Sequence, residues 1–319
     1  MFTRGSLIYI GQRLVLILFT AVAVSSIVFF GIHRLPGSAL LNERRPDPRA
    51  EQQLLHYYHL DLPLHEQYFQ FVGGIFHGDL GESLVNRGTK ITPLLLREGL
   101  VSGEVGAAAL VVTIGLGLIL GVIAAIRHNS WVDYVATTTA VIGYSMPNFV
   151  VASILFLIFA VYLYNWTGGA IYYSSGWDGR FGTLPQILVP AFALGFPYAS
   201  IVARLTRASM LEVIRQDYVR TARAKGLSNR VVVVRHALRN ALIPVVTILG
   251  PLVIGIITGS VVIENIFGIP GLGKEFATSI LQRDYNIVIG LFTFYALFIA
   301  LANLLVDLLY TVIDPRIRY

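Results

Sequence analysis

The sequence contains no cysteine and few charged residues. The lack of cysteine excludes disulfide bonds, thiolate metal ligands and cysteine nucleophiles. Charged residues make up 13% of the 319-residue chain, whereas an average soluble domain has roughly 25%. Hydrophobic residues make up 55%, and the mean hydropathy is +0.69. Because a single soluble globule of this length cannot bury so much apolar surface, we expect lipid to cover part of the protein.

Six long stretches contain no Asp, Glu, Lys or Arg, and each can cross a hydrocarbon core of about 30 Å as a helix. They are residues 14–32, 105–126, 134–166, 181–203, 241–263 and 285–306. The third is too long for one straight crossing, so we expect either a kink near Met146-Pro147 or a continuation into the membrane interface. Gly99-x-x-x-Gly103, Gly117-x-x-x-Gly121 and Gly255-x-x-x-Gly259 offer small-residue faces for close helix packing. The sequence therefore predicts an all-α integral membrane protein with six transmembrane helices.

The distribution of basic residues predicts the orientation of these helices. If the N-terminus is inside, the cytoplasmic segments carry fourteen Lys and Arg residues and the short outside loops carry three. The remaining loop, from His33 to Glu104, is too long to influence orientation. We therefore expect both termini in the cytoplasm. The predicted organisation is an N-terminal end with the first helix (1–33), an extracytoplasmic loop (34–104) and a five-helix core (105–319).

The net charge of +6 is concentrated in residues 204–240, which we call the basic segment. It contains nine basic and two acidic residues, and the rest of the chain has a net charge of −1. Two interpretations are open. The segment could be a loop whose Arg side chains meet lipid phosphates, or it could present a shaped surface to a partner protein. No nucleic-acid recognition motif accompanies it, so binding to nucleic acid is not expected.

Local signals predict two helices in the basic segment. Ser209-x-x-Glu212 is a capping-box pattern that would begin the first helix. Gly226 would end that helix in a left-handed conformation, and Ser228 would cap a second helix that begins at Asn229. The apolar stripe of the first helix would comprise Leu211, Ile214, Tyr218 and Ala222. A capped pair of helices favours a surface for a partner protein.

The run from Gly268 to Glu275 nearly matches a phosphate-binding loop, but Glu275 stands where the motif needs Ser or Thr to hold Mg²⁺. We expect instead a Gly/Pro-rich turn outside the membrane. This turn contains Gly268, Pro270, Gly271 and Gly273. His56 and His59 match no zinc spacing, and no Ser/His/acid set falls within the spans. We therefore expect neither a metal site nor catalysis by this chain.

Polar residues near the membrane interior are few. The candidates are Tyr144, Ser145, Asn148 and Asn303. They either line a translocation path or form hydrogen bonds between helices. Three acidic residues lie at the ends of predicted spans, where we expect interfacial carboxylates: Glu104, Glu264 and Asp307. An ion-driven carrier would require an acidic residue in mid-span, and the predicted spans contain none.

Several runs of residues are typical of one protein family. They are HGDLG (77–81), GYSMP (143–147), DYVRTARAKGL (217–227), RHALRNALIP (235–244), IITGSVVIE (256–264), GIPGLG (268–273) and VIDPRIRY (312–319). Together they resemble the permeases of ATP-binding-cassette (ABC) importers, specifically the dipeptide/oligopeptide/nickel subfamily and its oligopeptide-type B subunit. The resemblance covers essentially the whole chain, and its basic and C-terminal runs are the most specific.

The sequence departs from the general importer pattern in one place. That pattern is Glu-Ala-Ala, three residues, Gly, nine residues, then Ile-x-Leu-Pro. Here Gly226 fits, but the first three positions read Arg220-Thr221-Ala222, and Pro244 follows Gly226 by 18 residues rather than 13. The peptide subfamily varies in this way, so the departure supports the subfamily. A contact made by the usual Glu cannot be transferred to Arg220.

The resemblance implies a type I ABC importer permease fold in a bacterial or archaeal inner membrane. It also implies a coupling helix seated on an ATP-hydrolysing subunit, formed by Asp217, Tyr218, Arg220, Thr221, Ala222, Arg223, Ala224, Lys225, Gly226 and Leu227. The implied partners are a second, similar permease, two ATP-binding subunits, an extracytoplasmic substrate-binding protein and membrane lipid. In such an importer, the candidate contacts of the Gly/Pro-rich turn with substrate or with the binding protein are Gly268, Pro270, Gly271 and Gly273. ATP and Mg would be held by the partner subunits, so this chain would bind no cofactor and would not be an enzyme.

The same resemblance makes peptides the expected cargo. Nickel complexes, glutathione, glycosides or another small solute are alternatives within the importer class. An ATP-independent secondary transporter is the alternative outside that class.

Overall fold

Helices form nearly all the regular structure of the computed structural model, which describes residues 4–35, 48–170, 173, 176–177 and 182–313. The helices are α1 (Arg4–Ile32), α2 (Pro48–Tyr57), α3 (Leu64–His77), α4 (Ile91–Ile126), α5 (Trp131–Ser145), α6 (Asn148–Phe156), α7 (Leu163–Trp166), α8 (Leu184–Ile214), α9 (Asp217–Ala224), α10 (Asn229–Val231), α11 (Arg239–Ala241), α12 (Ile243–Thr247), α13 (Leu249–Phe267), α14 (Leu272–Gln282) and α15 (Tyr285–Ile313). Two π-helical segments, Leu157–Tyr162 and Val232–Leu238, continue α6 and α10. Within the described ranges the extended pairing is a single bridge between Glu82 and Lys90. Residues 314–319, which form most of the run VIDPRIRY, lie outside the described residues. The same is true of Arg316, Arg318 and Arg180, three of the basic residues from which the orientation was predicted.

Six helices are long and apolar enough to cross a membrane. The candidate spans are Ile8–Ile32, Ile91–Ile126, Asn148–Trp166, Leu184–Ile214, Leu249–Phe267 and Tyr285–Leu308. Large apolar side chains such as Phe19 and Ile27 point outwards from these helices, as contact with lipid requires. The prediction of an all-helical membrane protein with six transmembrane helices is confirmed.

The expected kink at Met146-Pro147 is a complete break between α5 and α6. Met146 is extended (φ −86°, ψ 127°), because the ring of a proline disfavours the helical conformation of the residue before it. The carbonyl oxygen of Pro147 then accepts the first hydrogen bonds of α6, from the N–H groups of Val150 and Val151. The third crossing is therefore Asn148–Trp166, and α5 is a separate helix.

Two other helices differ from the predicted spans. The second span was expected from residue 105, but α4 begins at Ile91 and contains Arg97, Glu98 and Glu104. Charged residues end an apolar run, but Arg and Glu have high helix propensity, so the helix continues through them. The predicted fifth span is divided between α12 and α13.

The described chain forms two compact units, and the first comprises residues 1–100 and 271–319. Its buried core includes Ile91, Leu95, Leu272, Ile287 and Leu291. Polar pairs join α1 to α15: the hydroxyls of Ser25 and Thr293 are 2.7 Å apart, and Arg13 Nη2 lies 2.6 Å from the Asp307 carboxylate. Asp307, expected as an interfacial carboxylate, therefore has a cationic partner on α1.

A fully buried carboxylate in this unit, that of Asp284, holds the loop before α4 against the start of α15. The Ser83 hydroxyl donates to it at 2.5 Å, and the backbone N–H groups of Leu84 and Val85 donate at 3.2 Å. It also accepts a hydrogen bond from the N–H of Ile287 in the first turn of α15. Four donors compensate the cost of burying this carboxylate.

The second unit comprises Val101–Pro270 and is organised around α8, which packs against α5, α6 and α13. Two glycines of α4 allow α8 to approach closely. A Cβ atom at Gly117 would lie 2.5 Å from Cβ of Val202, and one at Gly121 would lie 2.6 Å from the carbonyl oxygen of Ala203. The small-residue face predicted from these glycines is therefore a helix contact.

Candidate functional site

The basic segment folds as the end of α8, the short helix α9 and a second helix. α8 continues through Ser209, whose side chain is buried, so the prediction that Ser209 begins a helix is wrong. An N-cap residue needs an extended backbone, and that conformation first occurs at Gln216 (φ −70°, ψ 150°). The carbonyl oxygen of Gln216 accepts hydrogen bonds from the N–H groups of Val219 and Arg220. α9 therefore begins at Asp217.

One narrow apolar face attaches α9 to the rest of its unit. Val219 and Ala222 are buried and pack with Val232 and the partly buried Val213. The predicted stripe comprised Leu211, Ile214, Tyr218 and Ala222. Only Ala222 of that stripe is fully buried, because the turn between α8 and α9 changes the direction of the chain and resets the helical phase.

The other sides of α9, and the turn that follows it, are exposed. Of the ten residues expected to contact an ATP-hydrolysing subunit, all but Ala222 are exposed: Asp217, Tyr218, Arg220, Thr221, Arg223, Ala224, Lys225, Gly226 and Leu227. The Tyr218 hydroxyl accepts a hydrogen bond of 2.7 Å from the side-chain amide of Asn240. Asp217 lies 3.6 Å from Arg220, but both side chains are so exposed that this ion pair contributes little stability. The surface of α9 is therefore positively charged and open.

Gly226 ends this surface in the left-handed conformation (φ +76°), as predicted. Its N–H donates to the carbonyl oxygen of Arg223, and the N–H of Leu227 donates to that of Ala222, so the last carbonyls of α9 have partners. No atom lies within 4 Å of the place where a Cβ atom of Gly226 would be. The backbone angle alone therefore favours glycine here. Ser228 precedes the next helix, as predicted, but its side chain makes no capping hydrogen bond.

The second helix, which becomes π-helical over Val232–Leu238, connects α9 to α8. Val232 packs against α9, whereas Val233 and Ala237 pack in a cluster with Met210 of α8. One continuous layer of buried side chains therefore joins α9 to the membrane-spanning helix α8.

Three of the four residues predicted as candidates to line a translocation path lie at the break between α5 and α6. Tyr144 and Ser145 are exposed, and the guanidinium carbon of Arg204 lies 4.5 Å from the centre of the Tyr144 ring, a cation–π contact. Asn148 is partly buried. The fourth candidate, Asn303, is partly buried on α15 in the first unit.

The Gly/Pro-rich turn begins as the C-terminal cap of α13, where Gly268 is left-handed (φ +71°). Pro270 is exposed, whereas Gly271 and Gly273 are buried. The element before this turn is a helix rather than the strand that precedes a phosphate-binding loop. Within the described ranges, no group of three His, Cys, Asp or Glu side chains is placed to hold a metal ion.

Sequence reasoning missed an ion pair at the start of the basic segment, between Arg207 of α8 and Asp133 of α5. Arg207 donates to both carboxylate oxygens, from Nε at 2.6 Å and Nη2 at 2.8 Å, and the side chain of Asp133 is 4% exposed. The N–H of Asn129 donates a third hydrogen bond. The Arg207 guanidinium, helped by Asn129, holds the pKa of Asp133 well below its usual range. The pair ties α5 to α8.

A second missed feature is the burial of Glu264, which was expected to be an interfacial carboxylate. Glu264 is fully buried near the end of α13 and accepts a hydrogen bond of 2.7 Å from the Ser102 hydroxyl of α4. Its position at the end of an apolar run was visible in the sequence, but the helix that covers it was not.

Comparison with known proteins identifies the family. Residues 117–319 match the binding-protein-dependent transport system inner membrane components. The chain belongs to this family. The family region includes the basic segment and the Asp133–Arg207 pair, whereas α1, α2 and α3 precede it.

Similarity to individual relatives extends over almost the whole chain. Dipeptide transport system permease protein DppB of Bacillus subtilis (strain 168) is 43% identical over 94% of this chain and 94% of its own length. Oligopeptide transport system permease protein OppB of Escherichia coli (strain K12) is 41% identical over 92% of this chain and 94% of its own length. Dipeptide transport system permease protein DppB of Lactococcus lactis subsp. cremoris (strain MG1363) is 36% identical over 97% of this chain and 99% of its own length.

A solved structure shares the fold. It is described as the crystal structure of an amino acid ABC transporter with histidines, and it matches with a TM-score of 0.51. The match covers 68% of this chain and 93% of the other, with 16% sequence identity. At this identity the likeness shows the fold alone, and it confirms the expected ABC permease fold.

Proposed function

We propose that this chain is the permease subunit of an ATP-driven ABC importer and forms half of the translocation pathway for di- or oligopeptides. The three relatives above are dipeptide or oligopeptide transport permeases, which supports this cargo. In the proposed complex a second, similar permease supplies the other half of the pathway. Two ATP-binding subunits hold ATP and Mg²⁺, and an extracytoplasmic binding protein delivers the peptide. The chain contributes no catalytic group and lies in a bacterial or archaeal inner membrane.

The exposed helix α9 is the observation that carries this proposal. An eight-residue helix is not stable alone in water, so Val219 and Ala222 must hold α9 on the protein. Nearly all its other residues are exposed and carry a net positive charge. A loop that serves only to orient the chain needs neither the anchored helix nor the left-handed cap at Gly226. We therefore propose that α9 docks on an ATP-binding subunit, which places the basic segment in the cytoplasm with both termini.

The packing around α9 supports a mechanical role. When the ATP-binding subunits close, α9 would move as a rigid element. Val232 and Val233 would transmit this movement to Met210 of α8 through their packing contacts. The two hydrogen bonds between Arg207 and Asp133 would then make α5 follow α8. In this scheme the movement reaches the break between α5 and α6 and shifts the bundle between inward-open and outward-open states.

Polar groups at this break support a role in the translocation path. Tyr144 and Ser145 are exposed beside a helix end, and irregular backbone at membrane depth is tolerated where it lines a cavity. We propose that these two residues and Asn148 contact the peptide as it crosses. Asn303, in the first unit, is proposed separately as a residue of the path. At the Gly/Pro-rich turn that begins at Gly268, we propose that Pro270 contacts the substrate or its binding protein directly. Gly268, Gly271 and Gly273 would shape that turn, since two of them are buried.

The substitution Gly226→Val tests the coupling role. Valine is strained at φ +76°, because left-handed backbone costs a β-branched residue about 1–2 kcal/mol. We expect normal membrane insertion but weaker association with the ATP-binding subunits, or ATP hydrolysis that no longer depends on substrate. Gly226→Asn is the matched control, since Asn tolerates this conformation, and it should retain coupling.

The assay is substrate-stimulated ATP hydrolysis and transport by the complex of this chain with its partner subunits, reconstituted in vesicles. Normal stimulation and transport in Gly226→Val would contradict the coupling role of α9. Stimulation by a nickel complex, glutathione or a glycoside, but by no peptide, would retain the importer and overturn the peptide cargo.

A further inference from the structure

Helix α3 has an exposed apolar stripe that its own unit does not cover. Phe69 and Phe76 are 67% and 62% exposed, and with Val72 between them they are spaced three and four residues apart, which places them on one face of the helix. The neighbouring exposed stripe is polar and comprises Glu66, Gln70 and His77. Beyond the first turn, where the exposed His65 lies in line with Phe69, the outer surface of α3 is therefore divided lengthwise into an apolar and a polar half.

The inner face of α3 is fixed to the end of the first membrane span. Tyr68 and Phe71 contact the ring of Phe29 of α1, with centroid distances of 5.5 and 6.0 Å. The hydroxyl of Tyr68 also lies 2.7 Å from that of Ser26. α3 cannot leave α1 without breaking this aromatic cluster and its hydrogen bond.

These contacts place α3 beside the apolar part of α1 rather than beyond it. Ser26 precedes the end of α1, at Ile32, by six residues, which corresponds to about 9 Å along the helix axis. Interfacial amphipathic helices bury their apolar face about 5–10 Å into the boundary between headgroups and acyl chains. The contact of Tyr68 with Ser26 therefore lies at the depth of such a helix.

The apolar stripe of α3 is continuous with the lipid-facing surface of α1. Ile27 and Phe30 are exposed on this membrane-spanning helix. Phe30 contacts the ring of Tyr68 at 5.0 Å, and Tyr68 contacts that of Phe69 at 5.6 Å. A run of aromatic rings thus leads from a surface that lipid covers onto α3. This continuity favours lipid over a protein as the occupant of the stripe.

We propose that α3 is an interfacial helix that inserts Phe69 and Phe76 into the lipid leaflet at the C-terminal end of α1. Its polar half faces the headgroups and water. In this position α3 fixes the depth at which the C-terminal end of α1 lies in the membrane. It also fixes the depth of the loop before α4, which Asp284 binds. The proposal depends on the membrane location of α1 and is independent of the cargo.

The cysteine-free chain offers a direct test with single-cysteine variants. Phe69→Cys and Phe76→Cys, with Gln70→Cys as the matched control on the polar half, are labelled with a nitroxide in the full complex. The complex is reconstituted in vesicles of phosphatidylethanolamine and phosphatidylglycerol. For each label, the measured quantity is the ratio of its accessibility to oxygen, which concentrates in the bilayer, to its accessibility to a water-soluble nickel chelate. We expect this ratio to be severalfold higher at 69 and 76 than at 70.

Two results of the labelling experiment would overturn the proposal. Equal access of the nickel chelate to all three labels would show that water covers the whole outer surface of α3. Protection of the labels at 69 and 76 from both reagents would show that a protein covers the stripe. Phe76→Trp, which keeps an aromatic side chain, provides a second measurement if the cysteine variants misfold. Brominated lipids should quench its added fluorescence more than that of Gln70→Trp, and equal quenching would also overturn the proposal.

Discussion

Replacement of Asp133 by Asn should destabilise the protein substantially. Arg207 donates two hydrogen bonds to the buried Asp133 carboxylate, at 2.6 and 2.8 Å. Asn keeps the shape but removes the charge and turns one acceptor into a donor that faces the guanidinium. Removal of one partner from a buried ion pair costs about 3–5 kcal/mol. Because the side chain of Arg207 is 28% exposed and water can reach it, we expect the lower end, about 3 kcal/mol.

The pH dependence of this effect follows from the pKa of Asp133. Arg207 lowers this pKa in the folded protein below the ordinary value of 3.8. A carboxylate of lowered pKa stabilises the folded state above its unfolded pKa, and the stabilisation is lost as the pH falls towards the folded pKa. The difference in stability between the wild-type protein and Asp133→Asn should therefore be constant near neutral pH and shrink only below about pH 4.

The assay is thermal unfolding of the purified protein in mild detergent. At about 2–4 °C per kcal/mol, a loss of about 3 kcal/mol corresponds to a Tm roughly 6–12 °C lower. Asp217→Asn is the matched control, because it makes the same chemical change in an ion pair whose carboxylate is 96% exposed, and its Tm should not change measurably. Equal Tm values for the two variants would refute the argument that burial and the bidentate geometry make the Asp133–Arg207 pair stabilising.

Two further predictions concern packing and a buried carboxylate. Gly117→Ala should destabilise the protein by about 1–3 kcal/mol, because the added Cβ would lie 2.5 Å from Cβ of Val202. Gly115→Ala is the control and should not destabilise it, because no atom lies within 4 Å of the added Cβ. Equal Tm values for the two variants would contradict the close contact between α4 and α8. Asp284→Ala should expose the loop before α4 to hydrogen exchange and proteolysis, because the Ser83 hydroxyl and two backbone N–H groups lose their acceptor. Each buried group left without an acceptor lowers the stability by about 1–3 kcal/mol. Ser83→Ala removes only one of these donors and should have a smaller effect, so equal protection in the two variants would contradict the role of Asp284.

Local features of the fold were predictable from the sequence. The break at Met146-Pro147 follows from the steric effect of proline on its neighbour, and the left-handed conformation of Gly226 follows from the freedom of glycine. Both depend on residues adjacent in the chain. The start of α9 was not predictable in this way, because Ser209 has a capping pattern but lies in a helix that packing has already extended from α8.

Contacts between distant residues were beyond the reach of sequence patterns. Arg207 meets Asp133 across 74 positions, and Ser83 meets Asp284 across 201. No periodicity or spacing brings such residues together, since only the packing of helices decides which ends meet. The resemblance to peptide permeases predicted the family and fold because it rests on many residues along the chain, whereas it could not show that Glu264 is buried.

ATP-dependent uptake of a labelled peptide is the measurement that tests the central claim most directly. The chain is reconstituted in vesicles with the proposed second permease, ATP-binding subunits and binding protein, and in parallel alone. We predict that the peptide accumulates only in the complete complex and only with ATP present. Uptake by the chain alone without ATP would contradict the account, because it would show a self-sufficient transporter.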